Sequence, residues 1–225
     1  MVEIGLAGRD VLVFGATGAL GAGVASVFAD MGAVVRGVGR TVPAADRQLA
    51  GVQYDGVDVL DDAALGTYFD AGRAPWAVIN TVGGYAPKRS LAELDAAELA
   101  RQIELNLISA TLITKHALRV MTAAGEGRIV HTASRAATVT AGNGFAYSVS
   151  KLGVLHLVEM AAGEVRGSGV TVNCVVPSII DTPANREALP NANHDAWPKP
   201  RDIAINYIYL SSPDAHLVNG AAIPV

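Results

Sequence analysis

Tyr147-Ser148-Val149-Ser150-Lys151 sets a phenol and an ammonium four residues apart, on one face of any helix they occupy. An isolated tyrosine has a pKa of about 10, a poor match to neutral pH for a group that must both give and take a proton. A lysine one turn away favours the phenolate. Lowering the phenol by about 3 pH units requires roughly 4 kcal/mol. The pair therefore predicts proton-transfer chemistry. Six tyrosines and four lysines in 225 residues would give roughly 0.1 such pairs by chance. Ser134 stands 13 residues before Tyr147, and the chain holds ten serines. All three arise together in roughly 0.5% of chains of this composition, so the set is far more specific than its parts.

A second set of residues points to a nucleotide. Gly15-Ala16-Thr17-Gly18-Ala19-Leu20-Gly21 follows an apolar run and opens a helical pattern. Its G-x-x-G-x-x-G spacing differs from the usual G-x-G-x-x-G, but the physics is shared. Glycines permit the tight turn and let a pyrophosphate approach amides at a helix N-terminus. A glycine turn that merely packs closely is the alternative. The next apolar run ends in Val38-Gly39-Arg40-Thr41. NAD sites usually place an acid there for the ribose 2′-hydroxyl. Here a small residue and Arg40 suit a 2′-phosphate, which a guanidinium can grip bidentately. NADP(H) is therefore favoured over NAD(H), with a solvated loop arginine as the alternative.

The elements that must position these residues alternate. Strands are expected at Val11–Phe14, Ala33–Val38, Gln53–Val57, Ala77–Thr81, Arg128–Thr132, Val170–Val176 and Ala221–Val225. Helices are expected over Ala19–Met31, from about Asp61, over Asp95–Ala123, Phe145–Gly167 and Ile203–Leu210. That alternation predicts an α/β fold, a doubly wound parallel sheet of about seven strands with helices on both faces. Unalternating apolar runs fit strands buried on both sides. Length predicts one domain, 1–225. Only Pro183–Pro200, rich in Pro, Asn and Ala, breaks the rhythm and reads as a mobile loop or lid.

Composition narrows the function classes. Apolar residues make up 51% and charged residues 17%, which excludes disorder. The formal net charge of −4, with no basic run, gives no reason to expect nucleic acid or a membrane surface as partner. The uncharged stretch Val11–Ala29 is nearly long enough to span a bilayer, but Gly15, Gly18, Gly21 and Gly23 crowd it. One cysteine, Cys174, excludes a disulfide framework, so the cytoplasm is the default compartment. The five histidines lack ligand spacing, so no metal is expected. His131, three residues before Ser134, reads as a satisfied core histidine, with a ring turned to the cleft as the alternative.

Taken together, these features resemble the short-chain dehydrogenases/reductases, over nearly the whole chain. The resemblance rests on the glycine turn, Asp58-Val59, Asn80-Thr81-Val82-Gly83-Gly84, Asn106, Ser134, Tyr147, Lys151 and Pro177-Ser178-Ile179-Ile180-Asp181-Thr182. It implies a Rossmann-type domain in which nicotinamide exchanges hydride with a carbonyl or imine carbon. Tyr147 would protonate the developing oxyanion, Ser134 would orient the substrate oxygen, and Asn106 would hold a water that relays protons to Lys151. Lys151 would also bind the nicotinamide ribose. Asp58 and Val59 would contact the adenine, and Asn80 would line the cofactor cleft. The segment from Pro177 would complete the site, with Ile180 and Thr182 on the nicotinamide carboxamide.

The glycine spacing and the Asn80–Gly84 segment depart from the family's commonest forms. The G-A-T-G-A-L-G turn and the stretch Asp181–Arg186, with Leu189, Pro190 and Trp197 beyond it, look like the dihydropteridine-reductase-like subgroup. Those enzymes lack the serine that Ser134 supplies and prefer NADH, whereas Arg40 points to NADPH. The substrate is expected to be small, with Leu189 and Trp197 as apolar walls and Tyr85 and Arg89 within reach. By the resemblance the two long helices pair between subunits, in a homotetramer or a dimer. Their small residues Ala110, Ala117, Val154, Leu155, Val158, Ala161 and Ala162 either allow that approach or simply cover the sheet. The other readings are a non-catalytic NADP(H) sensor, an NADH-dependent dihydropteridine-type reductase, and an isomerase or dehydratase using the same base.

Overall fold

The computed structural model describes residues 4–85, 89–139 and 143–225. Seven parallel strands form one sheet: β1 (Asp10–Phe14), β2 (Val34–Gly39), β3 (Val52–Gly56), β4 (Ala77–Asn80), β5 (Gly127–Thr132), β6 (Val170–Val176) and β7 (Ala222–Pro224). Their spatial order is β3-β2-β1-β4-β5-β6-β7. The winding reverses between β1 and β4, the crevice where open α/β sheets bind ligands. Every residue of β4 and β6 is buried, as the unalternating apolar runs require.

Helices cover both faces. One face carries α1 (Ala19–Asp30) and, among the later helices, α7 (Pro200–Ser211), packed around Phe28, Ile79, Ile203 and Tyr207. The other carries α2 (Asp62–Asp70), α4 (Ser109–Ala124) and α5 (Phe145–Glu164), packed around Phe14, Leu65, Ile113 and Ile129. Asp61 caps α2 by accepting from the Ala64 amide at 3.0 Å. Among the described residues no helix is long and apolar enough to cross a membrane.

Three expectations change. The long helical stretch is interrupted: α3 (Ala96–Gln102) passes through a π-turn, Ile103–Ile108, before α4. The segment 183–200 is not a bare loop. It contains α6 (Pro183–Ala188) and a single turn at His194–Ala196. Thr182 caps α6 and Pro183 fills its first turn, a start signal legible in the sequence. Finally, Ala110, Ala117, Val154, Val158, Ala161 and Ala162 are all at most 5% exposed, within the core beneath the helices. They cover the sheet. The outward faces of α4 and α5 form a groove of about 500 Å³ whose lining includes Leu118, Leu157 and Met160 together with Lys115, Arg119 and Glu164.

Candidate active site

Because the strands are parallel, the segments that follow β1, β4, β5 and β6 meet along one edge of the sheet. The glycine turn leaves β1 with Gly15 at φ +83°, in the left-handed region that glycine tolerates. A Cβ on Gly21 would collide with the Gly15 carbonyl oxygen and lie 2.6 Å from Thr81 Oγ1. Gly21→Ala is therefore expected to cost about 3 kcal/mol, or roughly 6–12 °C in Tm. A thermal scan checks this, and an unchanged Tm would mean that the turn yields elsewhere.

No side chain caps the start of α1 at Gly18, so the first-turn amides, beginning at Ala19 and Leu20, stay open. Thr17 lies beside Gly39, where a Cβ would stand 3.4 Å from Thr17 Oγ1. Arg40 follows at the strand end, exposed and without an ion-pair partner among the described residues.

The segment Asn80–Gly84 links this turn to the proton-transfer residues. At one end the Thr81 amide and hydroxyl both donate to the Phe14 carbonyl, at 2.9 and 2.8 Å. At the other, Gly83 packs so closely that a Cβ there would lie 2.6 Å from Asn106 Oδ1 and 3.0 Å from Lys151 Nζ. Asn106, 1% exposed, clasps Gly84. Its Oδ1 accepts from the Gly84 amide at 3.0 Å, and its Nδ2 faces the Gly84 carbonyl at 3.2 Å. That Nδ2 also faces Gln102 Oε1 at 2.9 Å and Ser150 Oγ at 3.1 Å. The π-turn aims Asn106 at this loop, a use to which π-bulges are often put.

Tyr147 and Lys151 share a face of α5 as expected. Tyr147 packs edge-on to Tyr85, with ring centroids 5.2 Å apart. Ser134 accepts from the Ala136 amide at 3.2 Å and starts the turn Arg135–Ala137 across the beginning of α5. Its hydroxyl faces the Tyr147 phenol. Burial pushes the Tyr147 pKa up; the Ser134 hydroxyl pulls the other way and Tyr85 adds to the rise. The expected lowering of the phenol by Lys151 is not found. Lys151 is only 4% exposed, and its Nζ donates to the Thr132 carbonyl at 2.8 Å. Burial lowers Lys151 to about 8. Desolvation penalises both charged forms, and the ammonium is engaged by a backbone carbonyl.

The remaining predicted positions are more scattered in role. The Pro177 carbonyl accepts from the Arg135 amide at 3.0 Å, tying the end of β6 to the Ser134 turn. Ile180 packs on the core, and its carbonyl accepts from Asn185 Nδ2 at 2.8 Å. Thr182 Oγ1 accepts from the Asn185 amide at 3.2 Å as the cap of α6. Asp58 is exposed and closes a turn by accepting from the Leu60 amide at 3.0 Å, while the Val59 side chain is buried in the core. Leu189 is exposed, and Trp197 packs on His194 with centroids 4.6 Å apart. Arg89 is tied to Glu98 at 3.4 Å, and Arg186 to Asp181. Sequence reading missed Thr132 and Gln102, and gave Gly83 no role of its own within the Asn80–Gly84 segment. Ser150 lies inside the Tyr147–Lys151 motif, but the others carry no short-range signal.

Residues 15–225 match the family described as Enoyl-(Acyl carrier protein) reductase. The chain is 33% identical over 236 residues to cis-4-hydroxycyclohexanecarboxylate dehydrogenase of Sinomonas cyclohexanicum, covering 96% of this chain and 94% of that protein. It is 31% identical over 235 residues to D-threitol dehydrogenase of Mycolicibacterium smegmatis, covering 96% and 90%. Its structure is similar to that of a short-chain type dehydrogenase/reductase from Mycobacterium ulcerans, with a TM-score of 0.89 and 27% identity, covering 98% of this chain and 89% of that one.

Proposed function

The chain belongs to the short-chain dehydrogenase/reductase family, NAD(P)-dependent oxidoreductases that act on CH–OH and C=O groups, and from that premise we propose an NADP(H)-dependent enzyme for a small carbonyl, alcohol or imine. Tyr147 is its general acid and base. The observation that carries this reading is the Ser134 hydroxyl facing the Tyr147 phenol, one helical turn from Lys151, which with Asn106 closes on Gly83 and Gly84. A sensor that only binds a nucleotide has no use for such a proton donor. The two dehydrogenases reported above are named for small alcohols, which supports the substrate class.

The residues fit a dinucleotide. The open amides at the start of α1 suit a pyrophosphate, and Gly21 lets the turn close tightly against Gly15 and Thr81 beneath them. Arg40, free of acid partners among the described residues, suits a 2′-phosphate. When bound, the nicotinamide supplies or accepts the hydride. Tyr147 gives its phenolic proton to the substrate oxygen in reduction and recovers it in oxidation. Ser134 Oγ holds that oxygen by a hydrogen bond as charge develops on it. Lys151 supplies the fixed positive charge, one helical turn away. Asn106 fixes Gly84 and so the wall of the cleft.

The chain self-associates through the groove on α4 and α5, where Leu118, Leu157 and Met160 lie among Lys115, Arg119 and Glu164, as a homotetramer or a dimer. Its single cysteine is a buried thiol, which suits a reducing cytoplasm.

Fluorescence titration with NADPH and NADH tests the cofactor. NADPH is expected to bind more tightly, and Arg40→Ala to weaken NADPH roughly 10–100-fold while leaving NADH unchanged. Tighter binding of NADH would overturn the assignment of Arg40.

A further inference from the structure

Behind the Asn80–Gly84 segment lies a polar chain sealed from solvent. The Val82 amide donates to Asn80 Oδ1 at 3.0 Å, which fixes the orientation of that carboxamide. Asn80 Nδ2 therefore points at His131 Nδ1, 3.1 Å away. An amide NH₂ only donates, so His131 Nδ1 must accept, and the ring proton resides on Nε2. Nε2 in turn donates to Thr114 Oγ1 at 2.8 Å, and the Thr114 hydroxyl donates to the Ala110 carbonyl at 2.7 Å. Only one arrangement of protons satisfies every group. Asn80, Thr114 and His131 are 2, 3 and 0% exposed, so an unmatched donor here has no water to turn to. Burial, with the Lys151 cation nearby, drives the His131 pKa down to about 3.

We propose that His131 is a positioning residue of the active site: as a neutral ring protonated only on Nε2, it holds the Asn80 carboxamide and so sets the segment 80–84 between the glycine turn and Lys151. The consequence for cofactor affinity rests on the reading of function above; the geometry does not. His131 touches neither substrate nor cofactor in this scheme. It acts through Asn80, and Thr114 on α4 acts through His131.

Thr114→Val removes the acceptor of the ring proton from a site remote from the cleft. It penalises the Nε2-protonated tautomer and favours the one that opposes the Asn80 donor. His131→Asn puts a carboxamide oxygen about where Nδ1 stands and keeps the acceptor for Asn80. His131→Leu removes it. The tautomer is read from imidazole ¹⁵N shifts, and the segment from amide exchange at Val82 and Gly84. Wild-type protein is expected to show the Nε2-protonated form alone. In Thr114→Val and His131→Leu, exchange at Val82 should quicken roughly 10-fold and NADPH binding weaken by a similar factor, with His131→Asn close to wild type.

A ring protonated on Nδ1, or exchange unchanged in Thr114→Val, overturns the proposal. Wild-type protein that binds neither nucleotide would overturn the reading of function instead, while exchange and tautomer still decide the role of His131.

Discussion

Tyr147→Phe should lower kcat about 10³-fold and leave dinucleotide affinity within about twofold. The substitution removes one oxygen and keeps the ring, so the edge-on packing with Tyr85 at 5.2 Å survives. What goes is the phenolic hydroxyl that the Ser134 side chain faces. The same geometry sets the pH dependence of reduction. Burial raises the phenol above its ordinary value of 10, so the protonated form that reduction needs persists throughout the neutral range and is lost only above it. A fall in the kcat/KM of reduction near pH 8 therefore belongs to Lys151, whose charge is lost at about 8. Steady-state rates from pH 6 to 10 for both proteins check this. Turnover retained by Tyr147→Phe would take Tyr147 out of the chemistry.

Lys151→Met is expected to abolish turnover and make the protein more stable. The ammonium is buried, and its pKa of about 8 in the fold lies below the 10.5 of a solvated lysine. Between these two values the unfolded chain binds a proton that the folded chain does not, so wild-type stability rises with pH across that window. Below it, burial of the charge costs about 3 kcal/mol. Methionine removes that cost but forfeits the hydrogen bond to the Thr132 carbonyl, worth about 1 kcal/mol. The net gain of about 2 kcal/mol corresponds to roughly 4–8 °C in Tm at pH 7. It should shrink as the pH rises from 8 towards 10, because only the wild type gains there. A variant that melts below wild type at pH 7 would contradict the stored cost. Activity in this site is thus held at the expense of stability.

The order of strands and helices was legible because each buried strand is a short apolar run and each long helix is bounded by turns. Ser134, Tyr147 and Lys151 were legible because their types and spacing are jointly improbable. What the sequence concealed is of a different kind. Nothing in Asp95–Ala123 announces a π-turn, since the apolar pattern tolerates one extra residue. The small residues of α4 and α5 fit a subunit contact and a sheet-covering face equally well, and packing chose the second. The partner of Lys151 is a backbone carbonyl, which no side-chain pattern encodes. The raised phenol follows from burial, a property of the assembled cleft.

The π-turn has a consequence for chain length. It is in effect a helix with one residue too many, kept because that surplus aims Asn106 at Gly84. Deleting a single residue within Ile103–Ile108 would let α3 and α4 merge into one regular helix with a better hydrogen-bond ladder. The flanking helices would keep nearly their present facing, because the wider turn already absorbs the surplus residue. Asn106 would lose the bulge that aims it, and the clasp on Gly84 would open. The helix would improve as the cleft failed. Position-by-position replacement would not expose this dependence, because it lies in the count of residues and not in the identity of any one of them.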